Sequence, residues 1–287
     1  MGPLIRRVAL AGALAALAGC AHAPSIPTGA RYVSLGSSFA AGAGIGPVKP
    51  GTPPRCSRTD NNYATLLAAR LGLTLDDQGC GGATSAHVTG PWSELPAQID
   101  AVTPDTPLVT LTIGGNDLNY VATLFMAGCD PATGLTVQGR TMPCTPLRAP
   151  TEADFARAET GLRAIAQQVR TRAPLARLVF VQYVTLLPPQ PCPATAISPE
   201  GAALARGIAT RLAAITATVA KDADADLLAA DQLSRGHTPC DAQPWAKGRP
   251  DPADPAPGAP WHPNAAGHAA IAAELANLLT RPAPRRK

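Results

Sequence analysis

The sequence predicts a three-layer α/β/α sandwich around a parallel sheet of about five strands. Two observations carry this expectation. Short apolar runs, opening with Tyr32-Val33-Ser34-Leu35 and recurring at 73–75, 108–113, 178–184 and 227–230, have the length of strands. Between them lie segments with apolar residues at helical spacing, and strands alternating with such helices argue for a parallel sheet covered on both faces. The chain has 287 residues. That length fits one sizeable domain able to bury its own core.

Taken in order, residues 1–19 read as a secretory signal, with Arg6 and Arg7 ahead of an apolar run from Val8 to Leu17. The run is well short of the roughly 20 residues needed to span a bilayer. Leu17-Ala18-Gly19-Cys20 looks like a bacterial lipoprotein box, which makes Cys20 an acylated new N-terminus and 20–30 a linker. The alternative is an ordinary secreted protein cleaved near Ala21 to Ala23. Either way the protein is expected outside the cytoplasm, and lipidation of Cys20 would associate it with a membrane.

The first strand runs into Ser37-Ser38-Phe39-Ala40-Ala41-Gly42, a small-residue turn able to hold a serine oxygen at a strand's C-terminal end. An ordinary turn has the same composition, so the stretch gains meaning only from its partners. A helix over 63–71 places Leu66, Leu67 and Leu71 on one side. The second strand is followed by a glycine cluster, Gly79, Gly81 and Gly82, whose backbone N–H groups can approach a ligand closely. Gly114-Gly115-Asn116-Asp117 follows the third. Helices over 155–172, 202–220 and 264–279 complete the alternation, and His262 stands just ahead of the last. In open parallel sheets ligands gather outside the carboxyl ends of the strands. A serine, a histidine and two potential oxyanion donors at separate strand ends are the components of acyl transfer.

Beyond Cys20 six cysteines remain, and an even count in an exported chain suggests disulfides. None forms a CxxC or a Cys/His cluster, so structural zinc is not expected. Spacing does not choose among the connectivities, although sequential pairing closes the most local loops. The formal charge of +4 is spread along the chain and not gathered into a stripe with interleaved aromatics, which argues against nucleic-acid binding. The basic tail, 281–287, reads as solvated.

Gly36-Ser37-Ser38 with Gly42, Gly82-Ala83-Thr84, Gly114-Gly115-Asn116-Asp117 and His262-Pro263 together resemble, in order, the four blocks of the SGNH (GDSL-type) hydrolases, in particular the secreted actinobacterial lipases and esterases. The resemblance implies a flavodoxin-like hydrolase domain over 31–280, a carboxylic ester as substrate, no cofactor or metal, and a monomer. It implies Ser38 as nucleophile, His262 as general base, and an oxyanion hole made of the Ser38 and Gly82 backbone N–H groups and the Asn116 amide. Gly82 is preferred to Gly81 by alignment on Thr84. It also implies sequential disulfides, Cys56–Cys80, Cys129–Cys144 and Cys192–Cys240.

Two positions depart from the family pattern. Ser37 stands where an aspartate is usual before the nucleophile, and Ala259 where an acid is usual three residues before the histidine. A main-chain carbonyl near Ala259 or Pro260 is the favoured group to orient His262, because tautomer control needs only an acceptor. The alternative is Asp254 or Asp251, swinging in from the Pro-rich loop. His87, His237 and His268 read as structural or surface residues, Asp117 as a support for the Asn116 turn, and Leu124-Phe125-Met126 as core, with an acyl pocket as the alternative. The long loop over 238–260 is expected to shape access to the site. Three substrate readings follow: a lipid or other acyl ester; an O-acetyl group on an envelope polysaccharide; or, if Ser37 and Ala259 mark decay, non-catalytic binding by an envelope lipoprotein.

Overall fold

The structure, a computed structural model, describes residues 26–137, 140–251 and 253–281. The signal segment, Cys20 and the tail beyond Arg281 lie outside the described residues. In chain order the elements are β1 (Arg31–Gly36), α1 (Ser38–Ala41), α2 (Tyr63–Leu71), β2 (Thr74–Asp77), α3 (Ser85–Thr89), β3 (Leu108–Thr112), α4 (Tyr120–Ala127), β4 (Leu135–Val137), β5 (Arg140–Met142), α5 (Glu152–Arg172), β6 (Arg177–Val181), α6 (Pro199–Asp222), β7 (Asp226–Leu228), α7 (Ala230–Leu233) and α8 (Ala265–Leu279).

The predicted parallel sheet is present, with strand order β2-β1-β3-β6-β7. Its central strands β1, β3 and β6 are buried along nearly their whole length, as a sheet covered on both sides requires, while the edge strand β2 is partly polar and partly exposed. Val33, Leu35, Val109, Leu111, Leu178 and Phe180 pack with Leu162, Ile165 and Val169 of α5 and Val219 of α6. Tyr32, Leu108 and Val179 belong to the core that holds α2 and α8. Two buried tyrosines there find hydroxyl partners, Tyr32 Oη at 2.7 Å from Thr110 Oγ1 and Tyr63 Oη at 2.9 Å from Thr112 Oγ1. Burying those phenols without partners would be costly.

Most boundaries differ from the sequence expectation for local reasons. β6 stops at Val181, not at residue 184, because its edge partner β7 ends at Leu228, opposite Val181. α5 begins earlier, at Glu152, where Thr151 and Asp154 form a capping box. α6 likewise begins at Pro199, with the Ser198 side chain accepting from Gly201 N–H. Asn264 proves to be the N-cap of α8, accepting from Gly267 N–H at 2.9 Å. The β4–β5 hairpin and α4 lie outside the alternating pattern that the sequence predicts.

The order places β1 between β2 and β3, so the chain leaves β1 toward one edge of the sheet and later crosses to its other side. Such a reversal opens a crevice at the carboxyl ends of β1 and β3. Three disulfides pin the loops around that end: Cys56–Cys80, Cys129–Cys144 and Cys192–Cys240.

Candidate active site

Ser38 is the first residue of α1, immediately beyond β1, and is half-buried. The strand end that presents it is held from three sides. Ser37 N–H donates to Thr112 O at 3.0 Å, and Cys80 N–H donates to Gly36 O at 3.0 Å. The buried Gln98 amide then pairs with Gly36 on both sides, accepting from its N–H at 2.8 Å and donating to its carbonyl at 3.0 Å.

His262 Nε2 lies 2.8 Å from Ser38 Oγ, and His262 Nδ1 lies 2.8 Å from Pro260 O. A carbonyl can only accept, so Nδ1 carries the proton and donates to it. Nε2 is then left with a lone pair facing the serine hydroxyl, which donates to it. Burial holds the His262 pKa below its usual value of 6.5, a shift that the bond to Pro260 partly offsets. The imidazole is therefore neutral at neutral pH, the form a base must have.

The turn that makes this possible contains Trp261, wholly buried at a positive φ of 59°. A bulky residue rarely adopts that conformation, which costs on the order of 1–3 kcal/mol. The surrounding chain holds it: Trp261 N–H donates to Gly248 O at 3.0 Å, Lys247 N–H to His262 O at 2.9 Å, and Ala259 N–H to Ala43 O at 3.1 Å. Neither aspartate of the Pro-rich loop approaches as an orienting group. Asp254 pairs with Lys247 and accepts from Ala256 N–H, and Asp251 accepts from Ala253 N–H.

The expected oxyanion donors converge on the same place. Gly81 N–H is committed to Cys56 O at 2.9 Å, whereas Gly82 N–H and Ser38 N–H have no protein acceptor among the described residues. Gly82 has a φ of 82°, the left-handed conformation glycine adopts without strain. Asn116 Nδ2 donates to Ala83 O at 2.8 Å. That bond uses one amide hydrogen and fixes the side chain, and the other hydrogen stays available. Asp117 supports the arrangement by accepting from Ser85 N–H at 3.0 Å and from the Ser85 hydroxyl at 2.5 Å, which joins the two donor loops.

Ser38, Gly82, Asn116 and His262 line one cavity of about 740 Å³. Val121 and Phe125 of α4 line it too, as do Pro250, Ala259 and Pro260 of the Pro-rich loop. Of the apolar trio on α4, Phe125 faces the cavity while Leu124 is wholly buried in the core. The other histidines among the described residues sit elsewhere. His87 stacks on Trp92 and His237 on Trp245, at centroid distances of 4.2 and 4.3 Å. His268 is buried beneath the site, accepts from Tyr63 N–H at 3.1 Å, and is pushed down to about 3 by burial and by nearby His262. Among the described residues, no three His, Cys, Asp or Glu side chains cluster as metal ligands.

A hydroxyl facing a neutral imidazole, with free amide donors around the same cavity, is the arrangement of a serine-dependent acyl hydrolase. Residues 34–270 match the GDSL-like Lipase/Acylhydrolase family, and the chain belongs to that family. It is a carboxylic ester hydrolase. It is 32% identical to Lipase 2 of Streptomyces coelicolor over 96% of this chain and 98% of that one. It is 29% identical to a lipase of Streptomyces rimosus over 84% and 88% of the two chains. The crystal structure of an extracellular lipase from Streptomyces rimosus superposes with a TM-score of 0.66 at 25% identity, covering 87% of this chain and 99% of that one.

Proposed function

We propose that the protein is an exported serine esterase or lipase that cleaves acyl esters through a covalent Ser38 intermediate. The contact that carries this reading is the 2.8 Å approach of Ser38 Oγ to His262 Nε2, with Nδ1 already bonded to Pro260 O. As Ser38 Oγ attacks the ester carbonyl, its proton passes to His262 Nε2. Negative charge grows on the carbonyl oxygen, where the N–H groups of Ser38 and Gly82 and the free amide hydrogen of Asn116 receive it. Collapse expels the alcohol, protonated by His262, and water then releases the acid by the same steps in reverse. Pro260 O takes the orienting part that a carboxylate plays in a triad, and Ala259 is no obstacle to it.

Apolar Val121 and Phe125 in the cavity favour an acyl chain longer than acetyl. The three disulfides favour an oxidising compartment, which agrees with a secretory signal over residues 1–19, lipidation at Cys20 and a hydrolase domain over 31–280. Hydrolysis of nitrophenyl acetate and nitrophenyl octanoate by the wild type and Ser38→Ala tests the reading. The octanoate should be the better substrate, and Ser38→Ala should be inactive on both. A strong preference for acetate would favour the deacetylase alternative, and no hydrolysis above background by either protein would leave only the binding protein.

A further inference from the structure

Taking Ser38 and Asn116 in the roles proposed above, we infer that Tyr183 is a positioning residue: its phenol ties the nucleophile turn to the oxyanion loop. Tyr183 lies two residues beyond β6, and β6 is separated from β1 by β3 in the sheet. Its side chain nevertheless reaches the end of β1, placing Oη 3.2 Å from Ser37 Oγ and 3.0 Å from Gly115 N. The direction of one bond is fixed by its chemistry: Gly115 N–H can only donate, so Oη accepts from it, while in the bond between Oη and Ser37 Oγ either hydroxyl can supply the hydrogen.

Ser37 and Gly115 each immediately precede a residue that handles the substrate, Ser38 and Asn116 respectively. A link between them sets how far the attacking oxygen stands from the amide that must meet the developing charge. Rate is sensitive to misplacement at that separation. The site is shaped for the ring as well. A Cβ on Gly115 would lie 2.8 Å from Tyr183 ring atoms, so only glycine permits this approach. Phe39 packs on the tyrosine at 4.4 Å between ring centroids and on His262 at 4.8 Å, which brings the base into the same packed group. Burial pushes the Tyr183 pKa up to about 12, so the phenol keeps its hydrogen throughout the working pH range.

Tyr183→Phe keeps the ring and deletes only Oη, and it should be compared with Ser37→Ala and the double variant. We expect each single change to lower kcat about tenfold, the factor equivalent to about 1.4 kcal/mol and the scale of one buried hydrogen bond. KM should stay within about twofold, and the rate of fluorophosphonate inactivation should fall in step with kcat. Because both changes cut one link, the double variant should be no slower than the slower single variant. Wild-type kcat in Tyr183→Phe, with only the melting temperature lowered, would reduce the residue to packing and overturn the inference, as would losses that multiply in the double variant. Should Tyr183→Phe fail to fold, Ser37→Ala decides alone: a tenfold loss of kcat at unchanged KM and melting temperature supports the link, and unchanged kcat overturns it. Ser38→Ala is run in parallel. Labelling of the wild type that persists in Ser38→Ala defeats the catalytic assignment and this inference together, whereas labelling lost in Ser38→Ala alongside an indifferent Tyr183→Phe defeats this inference alone.

Discussion

Asn116→Ala separates the two bonds that one side-chain amide is arranged to make. One of its hydrogens is held by Ala83 O at 2.8 Å, and the other is free at the cavity wall. The first bond exists in the resting enzyme and joins neutral partners at a half-buried position, so losing it should cost about 1 kcal/mol of stability. The second forms fully only as charge develops on the substrate. Removing such a donor typically costs about 3–4 kcal/mol in the barrier, or roughly 100- to 1000-fold in kcat. Because that interaction belongs to the transition state, KM should change little. Steady-state hydrolysis of a soluble nitrophenyl ester, measured beside thermal unfolding, resolves both effects. Asn116→Asp adds a control, since it preserves size, removes both donors and adds negative charge, and it should be at least as slow as the alanine variant. A kcat within about threefold of wild type for Asn116→Ala, or a loss carried by KM alone, would refute the assignment of Asn116 as an oxyanion donor.

The acid limb of the pH profile should report His262. Burial lowers its pKa from 6.5, and protonation removes the lone pair that faces Ser38. kcat/KM should therefore fall as pH drops through a midpoint below 6.5 and be level at neutral pH; a midpoint above 7 would contradict the neutral, carbonyl-oriented base. Asp254→Ala and Asp251→Ala should each retain kcat within about twofold, since both carboxylates are engaged inside their own loop or with Lys247; a hundredfold loss in either would mean that a carboxylate orients His262. Replacing Cys192 and Cys240 by serine opens a connection of 48 residues, and chain entropy puts the cost at about 4 kcal/mol. Denaturant unfolding of that double variant should show the loss, and unchanged stability would mean that the Pro-rich loop is held without the bridge.

The sheet was legible because its strands are short apolar runs separated by helical spacing, a pattern set by burial on both faces. The ends of elements were less so, because they depend on neighbours. Nothing local tells that the run over 178–184 leaves the sheet after Val181; that follows from the length of β7. The candidate site was legible where chemistry and backbone constraints coincide in sequence, at Ser38, Gly82, Asn116 and His262. The groups that hold those residues were not. Gln98 sits in a short turn without periodicity yet pairs with both polar groups of Gly36. Tyr183 lies in a run that reads as strand interior, and its phenol gains a role only because Ser37 and Gly115, just beyond β1 and β3, meet it. Trp261 was visible beside His262, but its left-handed backbone is imposed by contacts from Gly248 and His262's own neighbours. Such supports act over long sequence separations, and composition carries no trace of them.

Ser38 is the residue on which the proposed chemistry turns. The most direct measurement is mass spectrometry of the purified protein after treatment with a fluorophosphonate. Tryptic cleavage after Arg31 and Arg55, with Lys49 shielded by Pro50, releases one peptide, 32–55, that contains both Ser37 and Ser38. A single adduct on that peptide, placed on Ser38 by fragmentation and absent from Ser38→Ala, is the expected result. An adduct on Ser37, or an unmodified peptide from correctly folded protein, would contradict it.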